Sequence, residues 1–148
     1  MANAQREVSI DASAERTFAY LADFRRHGEW VDHELNIEQS SPGPIGPGTT
    51  FSLTTQRGDQ EQVDGMTIIE FLPNERIVFE TNGDDGTFRH SFLLREEDGK
   101  THLTKIAEPV MLPFRRRLFR PLLTSVVFPH ILAGQLRRIK EELEVSVA

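Results

Sequence analysis

LFRPLLTSVVFPHILAGQLRRIKEEL, residues 118–143, sets Leu118, Leu122, Ser125, Pro129, Leu132, Leu136, Ile139 and Leu143 at alternating steps of four and three. An α-helix returns to the same side about every 3.6 residues, so this spacing predicts one face of a single long helix. Almost everything between Leu35 and Ala107 alternates instead with a period of two, as strands do. One terminal helix must therefore cover a sheet laid down before it. A helix lying on a curved sheet tends to enclose a space.

Working outward, the 148-residue length suits one domain, residues 1–148, able to bury roughly two thirds of its unfolded surface. The chain has no cysteine, which excludes a disulfide framework, a thiolate metal site and a cysteine nucleophile. The first residues, MANAQREVSIDAS, lack the apolar core of a signal peptide, and the longest apolar stretch, Leu122 to Ala133, is too short to span a bilayer. A soluble, cytoplasmic protein is the expectation. Charge is unevenly spread: residues 1–112 carry 10 Lys+Arg against 20 Asp+Glu, whereas residues 113–148 carry 7 against 3. An acidic body lacks the broad basic face that a phosphate backbone requires, so nucleic acid is not an expected partner. Oligomeric state, a homodimer included, is left open.

Toward the N-terminus, Val8 and Ile10 alternate within a first strand, and Ser13 offers a helix N-cap with Glu15 in the first turn. Ala14, Phe18, Leu21 and Phe24 follow at helical spacing; the helix is expected to fade around Arg25 to Gly28, with Trp30 just beyond it. His33 to Glu38 reads as strand two. The segment SSPGPIGPG, Ser40 to Gly48, resembles a linker in composition, but the halves on either side are too small to fold alone, so it reads as an ordered loop at the sheet edge. Turns at Arg57 to Asp59, Pro73 with Asn74, Asn82 to Gly86, and Asp98 with Gly99 divide the rest into an antiparallel meander. If Asp98 and Gly99 are the two hairpin residues, Leu94 faces Leu103, Phe92 faces Lys105, His90 faces Ala107 and Arg89 faces Glu108. That register sends His90 and Lys105 toward the core.

Five segments in order, VSIDASAERTFAYLADFRRHGEW (8–30), GPIGPGTTF (43–51), IIEFLPNERIVFE (68–80), DGKTHLT (98–104) and LRRIKEELE (136–144), resemble the START-like, or Bet v 1-like (SRPBCC), superfamily, and within it the polyketide cyclase/dehydrase branch. The resemblance implies an α+β helix-grip fold: a seven-stranded curved antiparallel sheet wrapped around a long C-terminal helix, with two short helices after strand one and a hydrophobic cavity inside. It leaves the ligand open, because one fold hosts many functions. Pro121 and Pro129 depart from an uninterrupted closing helix, since proline removes a helical hydrogen bond. The tail is accordingly expected as two helical pieces, with Pro121 starting one and Pro129 bending it.

His90 and Lys105 are the candidate catalytic pair. His90 on an aromatic face suits a general base, although a core histidine would present the same pattern and is the preferred reading. Lys105 would polarise a ligand carbonyl or bind a carboxylate, unless a bulge or a snorkelling stem carries its amine to solvent. Trp30 and His33 fall where the family's cavity entrance lies, Trp30 more as a packing anchor than as a ligand platform. Phe51, Phe79, Phe88, Phe92 and Leu103 form the expected inner wall of the sheet, faced by Val126, Pro129 and Leu132 from the helix. Glu70 is unassigned, because the loop at Pro73 can reverse its parity. Arg115, Arg116, Arg117 and Arg120 read as a solvated face balancing the acidic body, with a membrane-surface element as the less favoured alternative. No GxSxG, P-loop, dinucleotide fingerprint or HExxH occurs, and the histidines lack ligand spacing, so neither metal nor cofactor is indicated. Three functions follow: binding of a small hydrophobic or aromatic molecule, a polyketide cyclase/dehydratase, or a protein- or membrane-surface module using the basic tail. A membrane partner is not expected.

Overall fold

Every run of alternating residues becomes a strand in the structure, a computed structural model that describes residues 3–145. In chain order these are β1 (Ala4–Ile10), β2 (Leu35–Gln39), β3 (Thr50–Arg57), β4 (Gln60–Leu72), β5 (Arg76–Gly83), β6 (Gly86–Glu97) and β7 (Lys100–Met111). They form one curved antiparallel sheet in the order β1-β7-β6-β5-β4-β3-β2, so β1 and β2 are its edges. Between them in sequence lie helix α1 (Ala14–Ala22) and a 3-10 turn, Phe24–Glu29. The helix starts where Ser13 Oγ accepts the Arg16 N–H at 3.1 Å, satisfying an amide that has no partner within the helix. It buries Phe18 and Leu21 on the sheet.

The β6–β7 hairpin has the expected register: Glu97 pairs with Lys100, Leu94 with Leu103, Phe92 with Lys105, His90 with Ala107 and Arg89 with Glu108. Its loop residues Asp98 and Gly99 both have positive φ, 54° and 79°, which matches the right-handed strand twist. On the outer face Arg89 bridges Glu80 at 2.6 Å and Glu108 at 3.9 Å. The inner face is left to His90, Phe92 and Lys105. A bulge between Ile68 and Glu70 settles the open parity in β4: Ile68 is buried, and Glu70 pairs with Arg76 at 3.2 Å on the outside. The proline- and glycine-rich segment is a loop between β2 and β3, tied to β4 where the Gly48 N–H donates to Ile68 O at 2.8 Å.

The closing stripe needs correction. Instead of one face from Leu118 to Leu143, the chain forms α2 (Phe114–Arg117), α3 (Arg120–Leu122), a π-helical turn (Leu123–Val127) and α4 (Phe128–Val145), the last three running on as one long helix. Pro129, Leu132, Leu136, Ile139 and Leu143 are buried as expected, but Leu118 is 84 % exposed, and Leu122 and Ser125 also face solvent. Pro129 has no N–H to bond the carbonyl four residues back, and the ladder is resumed by the Phe128 N–H on Leu123 O, five residues back. That extra residue rotates everything upstream by about 100°. The buried face therefore passes through Thr124, five residues before Pro129, and Thr124 is only 5 % exposed. The proline that was expected to bend the helix shifts its phase.

Candidate functional site

Between the sheet and α4 lies a cavity of about 300 Å³. Leu35 and Ile37 (β2), Leu53 (β3), Met66 (β4), Phe79 (β5), Phe88 (β6) and Ala107 (β7) supply its sheet side. Phe128, Ile131, Leu132 and Gln135 face it from α4, and Trp30, Val31 and His33 form the remaining edge after the 3-10 turn. Phe88 and Phe128 meet edge to face, 5.6 Å between centroids, so sheet and helix touch at that point.

Lys105 is the most unusual group on this wall. Its neighbours Leu103 and Ala107 share its strand face, so alternation alone carries it inward, where it is 2 % exposed. Its Nζ donates to Gln135 Oε1 at 2.6 Å and lies 4.7 Å from the centre of the Trp30 ring and 5.1 Å from that of Phe92. It makes no ion pair among the described residues, and burial lowers its pKa from 10.5 to about 7. The ammonium is held by one amide oxygen and two π-faces.

His90 stacks on Phe79 at 4.9 Å, its Nε2 3.3 Å from Thr81 Oγ1, while its buried Nδ1 has no hydrogen-bond partner among the described residues. Burial first, then the charges of Lys105 and His27, keep it well below the ordinary imidazole range, so it is neutral at pH 7. His27, in the 3-10 turn, donates from Nε2 to Leu21 O at 2.8 Å. Burial and Lys105 push its pKa down to about 4, against the opposing effect of that hydrogen bond. Across the cavity Asp64 receives Gln62 Nε2 on its two oxygens at 3.1 and 3.2 Å. It rests over Gly83, where an added Cβ would come within 2.0 Å of Asp64 Oδ1 and would push that carboxylate aside.

Of the residues expected at the site, the cavity brings together Trp30, His33, Phe79, Phe88, His90, Lys105 and Leu132. Five others do not border it. Phe51 stacks on Phe24 at 4.9 Å and is buried in the core beside α1, and Phe92 and Leu103 are wholly buried there. Pro129 is buried one position off the face formed by 128, 131, 132 and 135, and Val126 is turned to solvent by the π-helical phase shift. His27, Thr55, Asp64, Thr81 and Gln135 border the cavity and were not foreseen. Asp64 shares its strand parity with Met66, a signal the sequence did carry; Gln135 lies four residues after Ile131 and His27 in a turn without periodicity, so their positions needed the fold.

The basic segment is also rearranged. Arg116 pairs with Asp85 at 2.9 Å, Arg120 donates to Pro109 O at 3.2 Å and Arg117 to Leu112 O at 3.3 Å, so these arginines fasten α2 and α3 to the β5–β6 turn and to the end of β7. Around them Met111, Phe114, Leu118, Phe119, Leu122 and Val126 stand exposed. No helix of the described residues is long and apolar enough to cross a membrane, and no group of acidic or histidine side chains among them is arranged to hold a metal.

A protein family described as Activator of Hsp90 ATPase homolog 1-like protein matches residues 11–113. The chain belongs to this family. The family lies within the START-like superfamily, so the superfamily read from the sequence holds, and the helix-grip fold with it. Solved structures share that fold at low identity. The ZhuI aromatase/cyclase from Streptomyces sp. R1128 superposes with a TM-score of 0.77 at 15 % identity, covering 99 % of this chain and 95 % of its own. A Thermus thermophilus protein gives 0.73 at 14 % identity with 99 % of both chains covered, and a Chromobacterium violaceum protein 0.70 at 16 % with 97 % and 99 % covered. Among curated protein sequences none matches this chain. At these identities the neighbours show the fold alone, and neither they nor the family specify a ligand for this chain.

Proposed function

We propose that this protein binds a small hydrophobic or aromatic molecule in the cavity between the sheet and α4. The observation that carries the reading is a volume of about 300 Å³ walled by aliphatic side chains and by Trp30, Phe79, Phe88 and Phe128, at the lower end of the usual range for small-molecule sites. Flat aromatic surfaces favour flat or aliphatic ligands, and the few polar groups would orient them. Native mass spectrometry of purified protein, with thermal-shift measurements over a panel of aromatic and lipid compounds, tests this. Co-purified small molecules or a rise in Tm are expected; neither being found would sink the carrier reading.

The second reading is a polyketide cyclase/dehydratase, favoured by the aromatase/cyclase among the structural neighbours and by Lys105 and His90 on one wall. His90 would take a proton from the methylene between two carbonyls, Lys105 would hold the enolate oxygen, the enolate carbon would attack a second carbonyl to close a ring, and the alkoxide so formed would take the proton back from His90. A histidine held so far below its ordinary pKa is a weak base, which ranks this reading second. Turnover of a model poly-β-ketone should fall in His90→Ala and Lys105→Ala; unchanged rates would remove both residues from the mechanism. The third reading, a surface module, rests on the exposed apolar side chains around Arg115, Arg116, Arg117 and Arg120, which suit an anionic membrane although Arg116, Arg117 and Arg120 already hold partners in the fold. Co-sedimentation with phosphatidylserine vesicles but not phosphatidylcholine vesicles is its expected sign, and equal sedimentation with both would refute it.

A further inference from the structure

We infer that the cavity's ligand carries an anionic oxygen, a carboxylate or an ionised enol or phenol, which docks on Lys105 and Gln135; this rests on the ligand-binding reading above. Among the described residues, Lys105 is short of acceptors. An ammonium has three N–H donors, and here one oxygen, Gln135 Oε1, accepts, while the Trp30 and Phe92 rings offer only their faces. A buried cation without a carboxylate is rare in a core that has only its own stability to serve.

Among the described residues, none of the groups around Lys105 forms an ion pair with it. His27 and His90 are held neutral by burial and by the lysine itself. Arg6, its cross-strand partner on β1, is exposed and donates to Gln5 O at 2.9 Å. His33 sits at the rim beside Asp32, 3.2 Å away. Asp64, the carboxylate on the cavity wall, stands on β4, accepts from Gln62 and forms no ion pair with Lys105 among the described residues. Gln135 adds a geometric point: because its oxygen is committed to Lys105, its amide NH₂ is a second donor on the same wall. An oxygen placed there meets an ammonium and an amide N–H, both preorganised on rigid elements, β7 and α4. Charge-assisted hydrogen bonds of this kind are roughly twice as strong as neutral ones.

The test uses a matched pair of probes, 2-naphthoate and its neutral methyl ester, titrated by fluorescence into the full-length protein. At about pH 6 the carboxylate is expected to bind about tenfold or more tightly than the ester. That preference should shrink as pH rises toward about 9 and the ammonium loses its proton. Gln135→Glu supplies an internal counter-ion without changing side-chain size and should erase the preference; Lys105→Met should erase both the preference and its pH dependence. Ester and carboxylate binding equally to the unaltered protein would overturn the inference and leave the apolar-ligand reading standing. An unchanged preference in Gln135→Glu and Lys105→Met would also overturn it. Binding of neither probe, nor of any compound in the wider panel, would remove the parent reading and this one together.

Discussion

Lys105 has consequences for stability that can be measured without knowing the ligand. Its pKa is about 7 in the folded protein against 10.5 in an unfolded chain, so between those values the unfolded state binds more protons. Stability must then rise with pH through that window and be lowest, as far as this residue is concerned, below pH 7. The two pKa values differ by an amount equivalent to roughly 5 kcal/mol as an upper bound. His27 acts in the same direction at lower pH: its pKa of about 4 against an ordinary 6.5 means stability is lost as pH falls from 6.5 through 4. Urea denaturation across pH should show both slopes. Lys105→Met, which exchanges a buried cation for an apolar side chain of similar length, is expected to raise stability at about pH 6 by roughly 1–3 kcal/mol and to flatten the upper slope. A variant with an unchanged slope would show that the amine is solvated in the folded state.

Among the elements, the closing helix departs most from its sequence pattern, and its residues divide by where the π-helical turn falls. Leu136 is 2 % exposed and lies after the turn, whereas Leu118 lies before it at 84 %. Leu136→Ala should cost about 2–5 kcal/mol and Leu118→Ala no more than about 0.5 kcal/mol in denaturant midpoints. A continuous α-helical stripe would make the two substitutions comparable. The β6–β7 hairpin gives an independent check at the same scale. Gly99 has φ of 79°, a region where a Cβ is penalised, so Gly99→Ala should cost about 1 kcal/mol while Asp98→Asn is neutral. These turn positions were legible from Asp98 and Gly99 alone because the constraint is local.

For the whole molecule, the cavity separates binding from folding. Ala107 borders it from β7 beside Lys105, and Ala107→Phe would project a ring into the open volume. That variant should keep or raise the Tm of the free protein and lose the ligand-dependent shift, which for a ligand at a hundredfold excess over Kd amounts to about 2.7 kcal/mol. A variant that still shows the shift would place the ligand elsewhere. What the sequence determined by itself is whatever follows from short-range period and turn chemistry. Seven strands, the Ser13 cap, the hairpin register and hence the inward face carrying His90 and Lys105 all belong to that class. What the tertiary structure alone decided depends on three-dimensional phase and proximity. One extra residue ahead of Pro129 turns Val126 and Leu122 outward and brings Thr124 in. A bulge at Ile68 sends Glu70 to Arg76. Gln135, thirty positions from Lys105, becomes its hydrogen-bond partner. Period reports which side of its own element a residue occupies; only packing reports what waits on that side.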